Sequence, residues 1–217
     1  QSDAALKRAI NALKEKFMTE AQALLHGDLH TGSLMCTETT TFAIDNEFAF
    51  YGPMGFDIGA FLANLLLAYF SQNGWAKCNG EDRGAQRDWL LSAFASTWGI
   101  FEKRFLEQWN EQGVRDDCGG LSPAILYGKD VKSGASALEE HQRTFMRKIW
   151  ADTLGFAGAK MIRRIIGIAH VADLDKIPDA NVRAQCERAA LKCGRELMLN
   201  ATTLTPESIV DVVKSCE

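Results

Sequence analysis

Apolar and polar positions alternate along this chain with two periods, and those periods mark out its elements. Between residues 3 and 24, Ala5, Leu6, Ala9, Ile10, Leu13, Phe17 and Leu24 recur at helical spacing, with Lys and Glu between them. The pattern predicts an amphipathic helix, capped by Ser2 or Asp3. Leu34-Met35-Cys36 and Thr41-Phe42-Ala43-Ile44 flank a Thr/Glu turn region and predict a hairpin, its second strand ending in Asp45-Asn46-Glu47. Tyr51-Gly52-Pro53-Met54-Gly55 reads as a turn. Residues 56–70 are apolar nearly all round, which predicts a central helix. The polar, glycine-containing stretch 73–84 is expected to be a loop.

Residues 85–112 return to helical spacing, with Trp89, Leu90, Phe94, Trp98, Phe101, Phe105 and Trp109 forming an aromatic stripe. Such a stripe is expected to be core or a dimer face rather than a ligand box. Residues 113–134 hold glycines, Pro123 and mixed charges, and define no element. Proline is then absent until Pro178, so helices are expected to fill residues 136–172. A final helical pair is predicted at about 180–200 and 206–215, the first carrying Val182, Cys186, Ala189, Cys193 and Leu197 on one face. No internal repeat or low-complexity tract is visible.

Composition narrows the function classes. A chain of 217 residues makes one domain or two small ones, long enough to bury roughly 70% of its unfolded surface. Hydrophobic residues at 47% and charged residues at 24% describe an ordinary soluble globular protein. The net charge of -4 and the lack of any Lys/Arg run leave no electrostatic case for nucleic acid or a membrane surface. No N-terminal secretory pattern is seen, and the longest apolar stretch, 58–70, is interrupted by Asn64 and too short to span a bilayer. The cysteines at 36, 78, 118, 186, 193 and 216 form no C-x-x-C pair. They are expected to be free thiols of a reducing, cytoplasmic setting, with Cys186 and Cys193 in core packing. The first residue is Gln1 rather than Met, so upstream sequence is expected to have been removed.

The chemistry concentrates between His26 and Asp57, the one dense group of polar residues inside an apolar frame. Asp28 sits on a loop, and Asp45 and Glu47 at a strand end a short connection away. That arrangement suits phosphoryl transfer, which needs positioning and charge neutralisation more than covalent work by the protein. Asp28 fits the residue that orients the attacking hydroxyl and accepts its proton. Asp45 and Glu47, two apart on a strand and so on one side of it, fit a Mg2+ site, since magnesium takes one or two carboxylates plus phosphate oxygens and water. Glu47 alone has the plainer alternative of a local salt bridge. His26 is expected to fix the loop through backbone hydrogen bonds, while His30 is structural or lines the substrate pocket. Asp57 either caps its helix or hydrogen-bonds the loop backbone. Arg163 and Arg164 lie outside the apolar arc of Met161, Ile162, Ile165, Ile166, Ile168 and Ala169. Left to themselves, such residues are solvated or paired with acids. Gly167 is expected to clear space between them for a ligand.

HGDLHTGS, then IDNEFAFYGPMGFDIGAFLANLLLAYF, then KMIRRIIGIAHVADL resemble the methylthioribose kinases, within the aminoglycoside/choline kinase group of the protein-kinase-like fold. The resemblance covers most of residues 20–75 and 150–175, and more loosely the helical remainder. It implies an α+β, mainly helical C-terminal kinase lobe over residues 1–217, with a small β-hairpin carrying the active site. The catalytic loop is then 26–33 and the metal-binding segment 44–48. The implied reaction moves the γ-phosphate of ATP to the 1-hydroxyl of 5-methylthioribose, with Mg2+, in methionine salvage. Asp28 becomes the catalytic base, Asp45 and Glu47 the metal ligands, and Arg163 with Arg164 the sugar-binding pair facing the transferring phosphate. His26, Ser33 and Asp57 support the loop. Two departures stand out: Ser33 replaces the Asn of many kinases of this fold, and Asp45-Asn46-Glu47 replaces the usual Asp-Pro-Glu. No G-x-G-x-x-G loop, ATP-contacting lysine strand or Walker motif is present. The N-terminal nucleotide-binding lobe is therefore expected to be absent, and the isolated chain inactive without it.

Two other functions compete with this one. The HxDxH run His26, Asp28, His30 with Asp45 is a Zn2+ or Mn2+ site of a metal-dependent hydrolase, although further His ligands are lacking. Alternatively, the lobe is a catalytically silent binding or dimerisation module, as the aromatic stripe and missing nucleotide lobe suggest. A serine hydrolase is excluded, because there is no G-x-S-x-G elbow.

Overall fold

The computed structural model describes residues 3–112 and 131–217, the side chains of 112 and 131–136 excepted. Ser2, Cys118, Pro123 and most of the undefined 113–134 stretch lie outside them. The described chain is mainly helical with two small antiparallel sheets, consistent with the C-terminal lobe of a protein-kinase-like fold. Its core is built on α2 (Gly55–Asn79), whose Leu62, Ala63, Leu66 and Leu67 are fully buried. Around it pack α3 (Gly84–Gln112), α4 (Val131–Ile166) and α6 (Ala180–Leu199). A helix apolar on every side must be enclosed, and this one is. At Gly59 it approaches α4 so closely that a Cβ would stand 2.6 Å from the Thr153 carbonyl oxygen. No helix among the described residues is long and apolar enough to cross a membrane.

The N-terminal helix, α1, covers Ala4–Thr19, and the Asp3 carboxylate accepts the Leu6 N–H as its cap. The predicted continuation to residue 24 is corrected: Ala23–Leu25 is strand β1, antiparallel to β4 (Phe50–Gly52). Part of the expected turn at 51–55 is thus strand as well. The cause is non-local. Gln22 N–H donates to the Gly52 carbonyl, and the Gln22 side chain accepts from Met54 N–H, so a segment about thirty residues on captures the chain. Leu25 turns inward and Leu24 outward, as alternation in a strand requires.

The expected hairpin is present, with β2 (Leu34–Cys36) paired to β3 (Thr41–Ala43) and Thr37 closing the turn. The strand stops at Ala43, however, and Asp45 adopts a left-handed backbone with φ 68°. The two-residue strand geometry expected of Asp45 and Glu47 therefore does not hold.

The loop expected over 73–84 shrinks to 80–83, because α2 runs on to Asn79 and ends where Gly80 turns left-handed. Local polarity was overruled by packing: Trp75, against the core, donates its indole N–H to the Asp173 carbonyl. The aromatic stripe on α3 is mostly internal, with Phe94, Trp98 and Trp109 buried and the Trp98 and Trp150 rings 4.7 Å apart. Trp89 faces outward. Helix α4 ends at Ile166 rather than 172, followed by the short α5 (Ala172–Asp175), so Ile166 and Ile168 leave the apolar arc and are exposed. Cys186 and Cys193 are buried on α6 as free thiols, and α7 (Ile209–Lys214) closes the chain.

Candidate active site

The loop between β1 and β2 is held from three sides. From α2, the buried Asp57 carboxylate accepts the backbone N–H of His26 at 2.6 Å and of Gly27 at 3.2 Å. Seven residues, or two turns, further along the same helix face, Asn64 Oδ1 accepts from both the N–H and the hydroxyl of Thr31. Asn64, the polar interruption in the apolar run, is therefore a second anchor. The third tie comes from the loop itself: the buried Ser33 hydroxyl donates to the Asp28 carbonyl at 2.9 Å, across the turn Thr31–Ser33. Gly27 has φ 89°, and a Cβ there would fall 2.1 Å from the Phe48 carbonyl oxygen, so only glycine fits.

His26 links this loop to the acidic turn. Its Nε2 donates to the Ile44 carbonyl at 2.8 Å, while Nδ1 faces the Asp28 N–H at 3.4 Å. Both ring nitrogens are thereby engaged with backbone groups of the loop and the turn. Ile44 N–H in turn donates to the Ser33 carbonyl. The segment carrying Asp45 and Glu47 is thus bound on both sides to the loop carrying Asp28. Both carboxylates are exposed and have no hydrogen-bond or ion-pair partner among the described residues.

Asp28 is 36% exposed at the side chain, so solvent and ligands reach it. Its Oδ1 accepts from the Lys160 ammonium at 3.1 Å. Oδ2 stands 3.6 Å from His30 Nε2, beyond hydrogen-bond length, and has no donor among the described residues. Burial acts to raise the Asp28 pKa. The Lys160 hydrogen bond and charge, with His30 and Arg164 further off, outweigh it and hold the carboxyl below the usual range. The group is ionised at neutral pH.

Lys160, Arg163 and Arg164 all project from the last turns of α4. Arg164 lies one turn beyond Lys160; its Nε is buried without a partner among the described residues, and Nη1 reaches the Ala169 carbonyl at 3.5 Å. Arg163 is exposed and, with Lys160, edges a cavity of about 120 Å³ walled by Phe56, Ala60, Phe156 and Ala159. The role expected of Gly167 is corrected. It lies past the helix end, its N–H donates to the Arg163 carbonyl, and a Cβ there would meet that oxygen at 2.3 Å. It closes the helix rather than clearing a path between arginines.

Lys160 opens the string KMIRRIIGIAHVADL, but nothing in the string itself gives it a role. The only signal was its four-residue offset from Arg164, which puts the two on one helix face. Among the described residues no three His, Cys, Asp or Glu side chains gather as metal ligands. A zinc hydrolase needs at least three such ligands. A magnesium ion shared with phosphates needs one or two carboxylates, and the all-oxygen, unpartnered pair Asp45 and Glu47 meets that requirement.

Known proteins similar to this chain are phosphotransferases and kinases. Residues 1–90 match the model of the phosphotransferase enzyme family. The chain is 49% identical to methylthioribose kinase 1 of Oryza sativa subsp. japonica over 198 residues, 91% of this chain and 44% of that protein. It is 46% identical to the methylthioribose kinase of Escherichia coli O45:K1 (strain S88 / ExPEC) over 188 residues, 87% of this chain and 43% of the other. With that of Yersinia enterocolitica serotype O:8 / biotype 1B it shares 39% over 213 residues, 98% of this chain and 48% of the relative. The chain thus spans somewhat less than half the length of each of these relatives.

Proposed function

We propose that this chain, similar to methylthioribose kinases over most of its length, is the C-terminal lobe of a small-molecule kinase acting on 5-methylthioribose in methionine salvage. The observation that carries the reading is the Asp28 carboxylate. It is accessible, ionised, fastened through Oδ1 and open at Oδ2. In the reaction, the 1-hydroxyl of the sugar gives its proton to Oδ2 as its oxygen bonds to the γ-phosphorus of ATP. The bond from that phosphorus to the β,γ-bridging oxygen breaks, and ADP leaves. A carboxylate is a weak base, which suits a reaction whose loose transition state asks little of one.

Asp45 and Glu47 would hold Mg2+, which neutralises phosphate charge when bound. The partnerless Nε of Arg164 and the exposed Arg163 supply fixed positive charge and forked donors for sugar or phosphoryl oxygens. The apolar cavity beside Lys160 and Arg163 suits a short thioether: it is small, its other walls are aromatic and methyl carbon, and Lys160, which lines it, also bonds the Asp28 carboxylate. The test is turnover of 5-methylthioribose and ATP by the full natural protein and its Asp28→Asn variant. Undiminished turnover in the variant would remove the reading.

A further inference from the structure

Lysine is almost never buried without a partner, yet the Lys160 side chain is only 8% exposed. Its one partner among the described residues is Asp28 Oδ1. Its side chain lines the cavity of Phe56, Ala60, Phe156 and Ala159 together with Arg163, and its ammonium meets the Asp28 carboxylate. The charge therefore has one favourable place, against Asp28. The pair joins two elements 132 residues apart in sequence, the end of α4 and the loop between β1 and β2. It is also polarised in exposure, the lysine being enclosed and the carboxylate open.

Resting on the kinase reading, we propose that Lys160 is a positioning residue for the reaction. By occupying Oδ1 it turns Oδ2 toward the acceptor hydroxyl, and its charge lowers the pH at which Asp28 takes up a proton. Among the described residues, three other charged or titratable groups face Asp28. His30 stands near Oδ2 and Arg164 lies further along α4, while His26 receives the Asp28 N–H through Nδ1. None of them hydrogen-bonds the carboxylate, so the orientation falls to Lys160. A lysine that only tied α4 to the loop would also lower the Asp28 pKa, but its removal would lower stability and leave kcat of the folded protein near normal.

The experiment uses the full natural protein and compares Lys160→Met, Lys160→Gln and Lys160→Arg, with Asp28→Asn alongside. Lys160→Met should lower kcat roughly 10- to 100-fold, the scale of a misplaced catalytic group, with KM for both substrates changed far less. The acid limb of kcat/KM should move to higher pH as the carboxylate loses its cation. Lys160→Arg should restore most of kcat and return the limb. Should the methionine variant fold poorly, Lys160→Gln reads the same limb with hydrogen bonding kept and charge removed. A kcat loss with the limb unmoved, or near-normal turnover in a charge-free variant, overturns the proposal. If Asp28→Asn is inactive while Lys160→Met is normal, only this inference falls; if Asp28→Asn turns over normally, the kinase reading falls with it.

Discussion

The Asp57 carboxylate, on the first turn of α2, accepts the backbone N–H of His26 from 31 residues away in sequence. It thereby fastens the reactive loop to the helix on which the core is built. Hydrogen bonds to a charged group contribute about 1.5–3 kcal/mol each, more than neutral ones. Asp57→Asn removes the charge and one acceptor oxygen, and sets an NH2 against an N–H. We expect a stability loss of about 1–3 kcal/mol by denaturant unfolding. Turnover should fall roughly tenfold with little change in KM, because Asp57 acts on loop position and not on substrate. A variant matching the parent in both measurements would take Asp57 out of loop support.

Two left-handed glycines separate strain from collision. Gly80 has φ 66°, and a Cβ there would have nothing within 4 Å, whereas at Gly27 a Cβ would lie 2.1 Å from the Phe48 carbonyl oxygen. Gly80→Ala should cost only the left-handed penalty, about 1–2 kcal/mol, and spare activity. Gly27→Ala adds displacement of backbone in the reactive loop, so it should destabilise more and abolish turnover. Equal losses in the two variants, read by thermal unfolding and kinetics, would contradict the close approach.

The Asp28 pKa lies below the usual carboxylate range, so its charge is present above that value and lost only as pH falls through it. Asp28 should therefore contribute no pH dependence to kcat/KM between about pH 5 and 8, well above the ordinary aspartate value. Replacing it by Asn should lower turnover by at least about 10²-fold at every pH in that window, the scale of removing a general base. Substrate affinity should be largely kept. An acid limb within that window that vanished in the Asn variant would contradict the assignment.

Lys16 of α1 pairs with Asp152 of α4, which is only 3% exposed and has no partner on Oδ2 among the described residues. Burial raises the Asp152 pKa despite Lys16. A folded-state pKa above the unfolded one means stability is highest below the unfolded value and declines as pH rises through the folded one. Lys16→Met strands the buried charge and should cost about 3–5 kcal/mol at neutral pH, a loss eased on acidification as Asp152 takes up a proton. Asp152→Ala added to Lys16→Met should recover much of it. Additive single and double losses in urea unfolding would show the pair to be uncoupled.

The cavity beside Lys160 should set specificity for the acceptor sugar. Ala60 forms part of the wall, and adding methyl groups there with Ala60→Val should raise KM for 5-methylthioribose about 10-fold or more, the scale of one methylene in an apolar pocket. An acceptor sugar lacking the thioether should be affected less. Equal effects on both sugars would place the methylthio group elsewhere.

Much of this was legible in residue order. The hairpin at 34–43, the central apolar helix and the aromatic stripe are periodic features, and Asp28, Asp57, Arg163 and Arg164 stand in recognisable strings. What escaped shares one property. Strand β1 depends on β4, the extension of α2 to Asn79 on packing around Trp75, and Lys160 on a loop 132 residues away. The left-handed turn at Asp45 likewise withdrew a strand geometry that alternation had suggested.

The sequence by itself determined which chemistry is present: one carboxylate on a glycine-hinged loop, two on a turn, a cationic helix end, and an apolar frame long enough to bury its core. Only the tertiary structure decided which cation meets which oxygen. Periodicity records the environment of neighbouring residues, whereas the partner of Asp28 was chosen by how α4 packs on α2, and that packing is a property of the whole chain.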